Sequence, residues 1–98
     1  AGRTHVGAAK AALGGFMKGL VHEVGTDDIR VNMVVPGHID TVRGAAAGAR
    51  PNYDMTFMLD RPGKPEEVAD MIRSLCGPAG RYVTGQTIHV SGGVYMPG

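Results

Sequence analysis

Ninety-eight residues, 43% of them apolar, fit at most one domain of ordinary soluble composition. Ten basic against nine acidic side chains leave a net charge of +1, which offers no footprint for nucleic acid or for an anionic membrane. The single cysteine, Cys76, excludes an intrachain disulfide and fits a reducing, cytoplasmic setting, and no apolar run approaches the roughly 20 residues of a membrane span.

The chain opens at Ala1 without an initiator Met, and Arg3 and Lys10 flank small residues rather than the apolar core of a signal peptide. That predicts a segment of a longer protein, or a chain whose first half is missing. A domain this short buries only about two-thirds of its unfolded surface and is marginal without help.

Thr4 is expected to cap a helix running to about Val24. Ala9, Leu13, Phe16, Met17, Leu20, Val21 and Val24 recur at spacings of three and four and mark one apolar face. Gly7, Ala8, Ala11, Gly14 and Gly15 keep another side thin. Each helical glycine costs about 1 kcal/mol relative to alanine, so close approach of another backbone is expected there. Gly25 stops the helix. A turn at Thr26-Asp-Asp28 leads into a strand over Ile29–Val35, whose Ile29, Val31, Val34 and Val35 suit a covered, pleated surface. Pro36 cannot donate to a ladder and ends the strand in a Pro-Gly turn. In an α/β sheet the carboxyl end of a strand is where a ligand sits.

Residues 37–63 show no sustained period. Gly44–Arg50 and Tyr53–Leu59 are expected as short, weak helices. An irregular stretch of this length is usually functional or mobile. Pro65-Glu-Glu67 starts a second helix, with proline at the first position and acid in the first turn. Val68, Met71, Ile72 and Leu75 form its buried face, and it ends near Cys76-Gly-Pro78. A turn over Tyr82–Gln86 enters a strand Thr87–Val90, which Gly92-Gly93 ends. Helix, strand, loop, helix, strand makes one right-handed βαβ unit with parallel strands, an α/β fold. Two strands are a poor independent core, so the segment should dock on something larger.

His22, His38 and His89 share no metal-ligand spacing with one another or with Cys76, so no metal site is expected. Cys76, at the end of an apolar helix face, reads as an inert core thiol. Asn32 reads as a strand residue whose amide ties neighbouring backbone. Arg43 and Arg50 are placed to meet an acidic substrate; solvated loop arginines are the ordinary alternative.

Four stretches together resemble the second half of the short-chain dehydrogenases/reductases. They are Val6-Gly-Ala-Ala-Lys10-Ala-Ala-Leu13, Ile29-Arg-Val-Asn-Met-Val-Val-Pro-Gly-His-Ile-Asp-Thr41, Arg61-Pro-Gly-Lys-Pro-Glu-Glu-Val-Ala69 and Tyr82-Val-Thr-Gly-Gln-Thr-Ile-His-Val-Ser-Gly-Gly93. The resemblance implies that residues 1–98 are the C-terminal part of a Rossmann-like doubly wound parallel sheet, with the cofactor-binding N-terminal half absent. It implies hydride transfer between NAD or NADP and a carbonyl/alcohol pair by the complete protein, and inactivity of this segment alone. Pro36, Gly37, Ile39 and Thr41 are then the contacts to the nicotinamide end, and Lys10 holds the ribose. His38, Arg43 and Tyr53 fall in the substrate loop. A homo-oligomer, dimer or tetramer, or docking to the chain's own first half is implied as well.

The sequence departs from the family at one position. The pattern is Tyr-x-x-x-Lys, and four residues before Lys10 stands Val6. Valine transfers no proton. His5, next door, carries an imidazole that can exchange a proton and is one substitute; Tyr53 is another. On a regular helix His5 points about 100° away from Val6, an objection that weakens at a frayed first turn. The rival reading is a non-catalytic cofactor-binding or scaffolding member of the same fold. A free-standing interaction module is weaker, since its sheet would have raw edges.

Overall fold

The computed structural model describes residues 2–41 and 57–97. Helix α1 spans Thr4–Val24, strand β1 Met33–Pro36, helix α2 Pro65–Cys76 and strand β2 Thr87–Val90. Short 3₁₀ turns lie at Gly25–Asp27 and Pro78–Gly80. The expected short helices at 44–50 and 53–59 fall mostly outside the described residues, as do Arg43, Arg50 and Tyr53; residues 58 and 59 form a turn, not a helix. Among the described residues, no helix is long and apolar enough to cross a membrane.

The two strands pair in parallel, with Met33 opposite Thr87 and Pro36 opposite Val90. Met33 N–H donates to the Gln86 carbonyl and Gly37 N–H to the Val90 carbonyl, each at 2.9 Å. Donors toward β2 thus come from alternate residues of β1. Pro36 lies between two of them, and its missing N–H faces the other edge, where it costs the ladder nothing.

β1 is shorter than the apolar run from Ile29 suggested. Residues 30–32 face the turn before β2, not a strand. There Gly85 N–H donates to the Val31 carbonyl at 2.8 Å, and Val31 N–H donates to Thr84 Oγ1 at 3.1 Å. Asn32 fulfils its expected role: Nδ2 donates to the Val83 carbonyl at 2.8 Å, and Oδ1 accepts from Gln86 N–H at 3.1 Å. Arg30 does similar work that its sequence position did not announce. Its Nη1 donates to the carbonyls of Leu75 and Gly80, at 2.7 and 2.6 Å, and so ties the end of α2 to the entry of β1.

Thr4 is not the cap of α1. Arg3 holds the non-helical N-cap dihedrals, and Thr4 is already helical. Gly25 does not stop the chain with a left-handed turn. It stays right-handed, the helix tightens into the 3₁₀ turn, and Asp28 reverses direction at φ 59°. α2 begins as its sequence predicted, with Pro65 first and Glu67 Oε1 accepting the Lys64 N–H at 3.0 Å.

Burial is thinner than the apolar periods implied. Met17, on α1, is the buried hydrophobic residue of the described chain. Leu13 and Phe16 on α1, and Met71 and Ile72 on α2, are exposed. Cys76 is exposed too, so it is not a core thiol. Periodicity marks which face is apolar, and these faces have no cover within the described residues. The thin side of α1 likewise meets no backbone here: a Cβ on Gly7 or Gly15 would find nothing within 4 Å, and one on Gly14 only the Met33 methyl.

Candidate functional site

The carboxyl end of β1 opens into a hollow of about 540 Å³. Pro36, Gly37, His38, Ile39 and Thr41 form one wall, and Pro65 and Val68 at the start of α2 form the other. Five residues named from the sequence therefore share one cavity. Sequence reasoning missed the second wall, because Val68 was counted only as a core residue of α2.

Each element holds its part of this wall by a short local device. Gly37 lies flat on the residue after β2, so a Cβ there would sit 2.8 Å from Ser91 Cα. No side chain fits that approach. Beyond it, Ile39 and Gly63 form an isolated parallel bridge. Gly63 N–H donates to the His38 carbonyl at 3.0 Å and Asp40 N–H to the Gly63 carbonyl at 2.8 Å. The His38 ring tilts against Phe57, with centroids 5.9 Å apart.

The far side of the bridge is fixed to α2 by charge. Arg61 meets Glu67 with both terminal nitrogens, at 2.6 and 2.8 Å. The Arg61 hydrogen bonds, and then the Lys64 N–H, hold the Glu67 carboxyl down at about 2. This pair belongs to the frame of the site, because Arg61 and Glu67 line a second, smaller pocket with Leu59, Gly63, Val90 and Gly92.

His5, Val6 and Lys10 lie on the first turns of α1. Gly7 N–H bonds the Arg3 carbonyl at 3.1 Å, so the first turn is closed and His5 points away from Val6. Val6 and Lys10, four residues apart, share a face; Val6 is half-buried and Lys10 exposed. Neither His5 nor Lys10 lines the hollow at the end of β1. Arg43 and Tyr53 lie outside the described residues. Among the described residues, no group of three metal-ligating side chains converges. The hollow is an apolar recess with a threonine hydroxyl and a histidine at its edge.

A family model described as enoyl-(acyl carrier protein) reductase matches residues 1–95. A 3-oxoacyl-[acyl-carrier-protein] reductase of Pseudomonas aeruginosa is 43% identical over 98% of this chain, and the chain spans 40% of that relative's length. The structure of a 3-oxoacyl-[acyl-carrier protein] reductase with bound NAD from Brucella melitensis superposes with a TM-score of 0.79 at 38% identity, covering 96% of this chain and 34% of that one. A blue fluorescent protein from a metagenomic library, in complex with NADPH, gives a TM-score of 0.76 at 38% identity, covering 91% of this chain and 36% of the other.

Proposed function

The chain belongs to the short-chain dehydrogenase/reductase family, and from that premise we propose that it supplies the nicotinamide-side half of an NAD(P)-dependent oxidoreductase acting on a carbonyl/alcohol pair. The observation that carries this is the hollow at the carboxyl end of β1, which gathers Pro36, Gly37, Ile39 and Thr41. A ligand belongs at that end of a parallel sheet. The recess fits a nicotinamide ring: its walls are apolar, and Thr41 offers a hydroxyl for the carboxamide. When bound, the cofactor supplies the hydride.

This chain's residues bind and orient. Pro36 and Gly37 give a rigid backbone floor, Ile39 a wall, Thr41 a polar contact, and Lys10 a cation for the ribose. His38 sits where a substrate would approach, with Arg43 and Tyr53 as further substrate-loop candidates. The pyrophosphate needs a glycine-rich turn at a helix N-terminus, and no Gly-x-x-x-Gly-x-Gly follows a strand in these 98 residues. Residues 1–98 are accordingly read as the C-terminal part of one Rossmann-like domain, inactive alone. The exposed Leu13 and Phe16 of α1 give it a surface for its own first half or for a second copy. The names of the relatives make a 3-oxoacyl thioester the first substrate to try, and leave both NAD and NADP open.

Val6 favours a second reading, a cofactor-binding member without catalysis. The complete protein should be titrated with NADH and NADPH, then assayed for cofactor oxidation with a panel of ketones and 3-oxoacyl thioesters. Oxidation coupled to alcohol formation supports the first reading. Binding without turnover supports the second. Absence of binding to either dinucleotide overturns both.

A further inference from the structure

The turn that follows β2 carries more of the site than a strand terminator should. Gly92 accepts two N–H groups from across the molecule, Met58 at 2.9 Å and Leu59 at 3.2 Å. Gly93, at φ 85°, leaves no room beside Met58: a Cβ there would lie 2.6 Å from Met58 Cγ and 2.7 Å from its Cβ. These are the stem of the side chain, not its free end, so the backbone at 58 would have to move. Five residues further on, Gly63 closes the bridge to Ile39. A Cβ on Gly63 would meet Ile39 Cδ1 at 2.8 Å, so that contact is also close. On the near side, Ser91 is the surface on which Gly37 lies. The turn itself is held by Val94 N–H on the Ser91 carbonyl and Tyr95 N–H on Ser91 Oγ.

We propose that the Ser91–Gly93 turn is the seat that positions the cofactor-facing segment Pro36–Thr41, with Gly93 as its positioning residue. Ser91 sets Gly37 directly. Gly92 and Gly93 set the arm 57–63, and the arm sets Ile39, Asp40 and Thr41 through the bridge at Gly63. The arm cannot absorb a shift elsewhere. Only four residues lie between Met58 and Gly63, and the Arg61–Glu67 pair ties the arm to α2 between those points. This rests on the reading of that hollow as a nicotinamide site.

The test uses Gly93→Ala in the complete protein, with two readouts. The first is affinity for NADH and NADPH, expected to fall about tenfold as the contacts of Pro36–Thr41 shift. Adding Met58→Gly removes the obstructing stem and leaves only the strain of alanine at φ 85°, so Gly93→Ala should cost clearly less affinity in the Met58→Gly background than in the wild type. The second readout is amide exchange, which needs no cofactor. Gly63 and Asp40 amides should exchange faster in Gly93→Ala, while Gly85 and Met33 at the other end of the sheet keep their protection.

Unchanged exchange at Gly63 and Asp40 in a folded variant overturns the proposal. Uniform acceleration across the sheet does so too, because Gly93 would then serve stability alone. Wild-type affinity in the variant, with faster exchange, also overturns it. If the wild-type protein binds neither dinucleotide, the nicotinamide reading fails, whereas the exchange result still tests the coupling. Should Gly93→Ala not fold, Met58→Ala loosens the same contact without backbone strain and must accelerate Gly63 and Asp40 selectively.

Discussion

Asn32 and Val83, 51 residues apart in sequence, are joined by a 2.8 Å hydrogen bond from the Asn32 amide to the Val83 carbonyl. The other end of the same amide accepts from Gln86 N–H. One planar group therefore satisfies a carbonyl and an N–H that the turn Thr84–Gly85 leaves without ladder partners. Aspartate lacks the donor and leucine lacks both functions.

Asn32→Ala should destabilise the complete protein by about 1 kcal/mol, the net worth of a hydrogen bond to a carbonyl that is only partly buried. Urea denaturation checks this. Asn32→Asp should do no better, because it sets a carboxylate against the Val83 carbonyl. An unchanged midpoint for both variants would mean that water replaces the amide without loss.

The Arg61–Glu67 pair gives a pH dependence of definite sign. Glu67 is depressed from 4.5 to about 2, so its anchoring is complete above pH 4.5 and lost as pH falls through about 2. A ¹³C titration of the Glu67 carboxyl should show a midpoint well below the ordinary value. High salt should move it upward, because both side chains reach solvent. Glu67→Gln should speed amide exchange at Lys64 at neutral pH, where the wild type is protected. An ordinary midpoint would show that the pair does not persist in solution.

Lys10→Ala should weaken NAD(P)H binding by about tenfold to a hundredfold, the range for losing one charge-assisted hydrogen bond. The loss should leave thermal stability nearly unchanged, since Lys10 is exposed on α1. Calorimetric titration of wild type and variant measures the first, and a melting curve the second. Equal affinity would remove Lys10 from the site.

Both helices and β2 were legible in the sequence, because prolines and apolar spacing are local signals, although the cap of α1 fell at Arg3 and not at Thr4. The start of β1 was not. Ile29–Val31 has strand composition, but its neighbour at that level is the turn Thr84–Gln86, and a strand needs a partner strand. Burial also misled: Phe16 and Ile72 lie on the apolar faces that periodicity identified, yet nothing in the described chain covers them. Of the candidate site, the Pro36–Thr41 wall could be read from contiguous residues. The Pro65–Val68 wall and the seat at Ser91–Gly93 could not, since bridges 24 to 54 residues long bring them there.

Val6 sharpens the choice between the two functional readings. A ketone reductase needs a proton donor about 3 Å from the substrate oxygen. Val6 has no proton to give, and the closed first turn of α1 directs His5 elsewhere. Ordinary ketones should therefore turn over slowly in the wild type. Val6 and Lys10 lie one turn apart on the same face, so Val6→Tyr would place a phenol beside the ammonium, which favours its ionised form. The variant should gain at least tenfold in kcat with little change in cofactor affinity, against the roughly 10²–10⁴-fold that general acid catalysis commonly provides. The gain should depend on Lys10, so Val6→Tyr/Lys10→Ala should lose it. Stopped-flow oxidation of NAD(P)H with one good ketone measures all three proteins. Brisk wild-type turnover that Val6→Tyr abolishes would mean that another residue already holds the proton, and that position 6 is needed small.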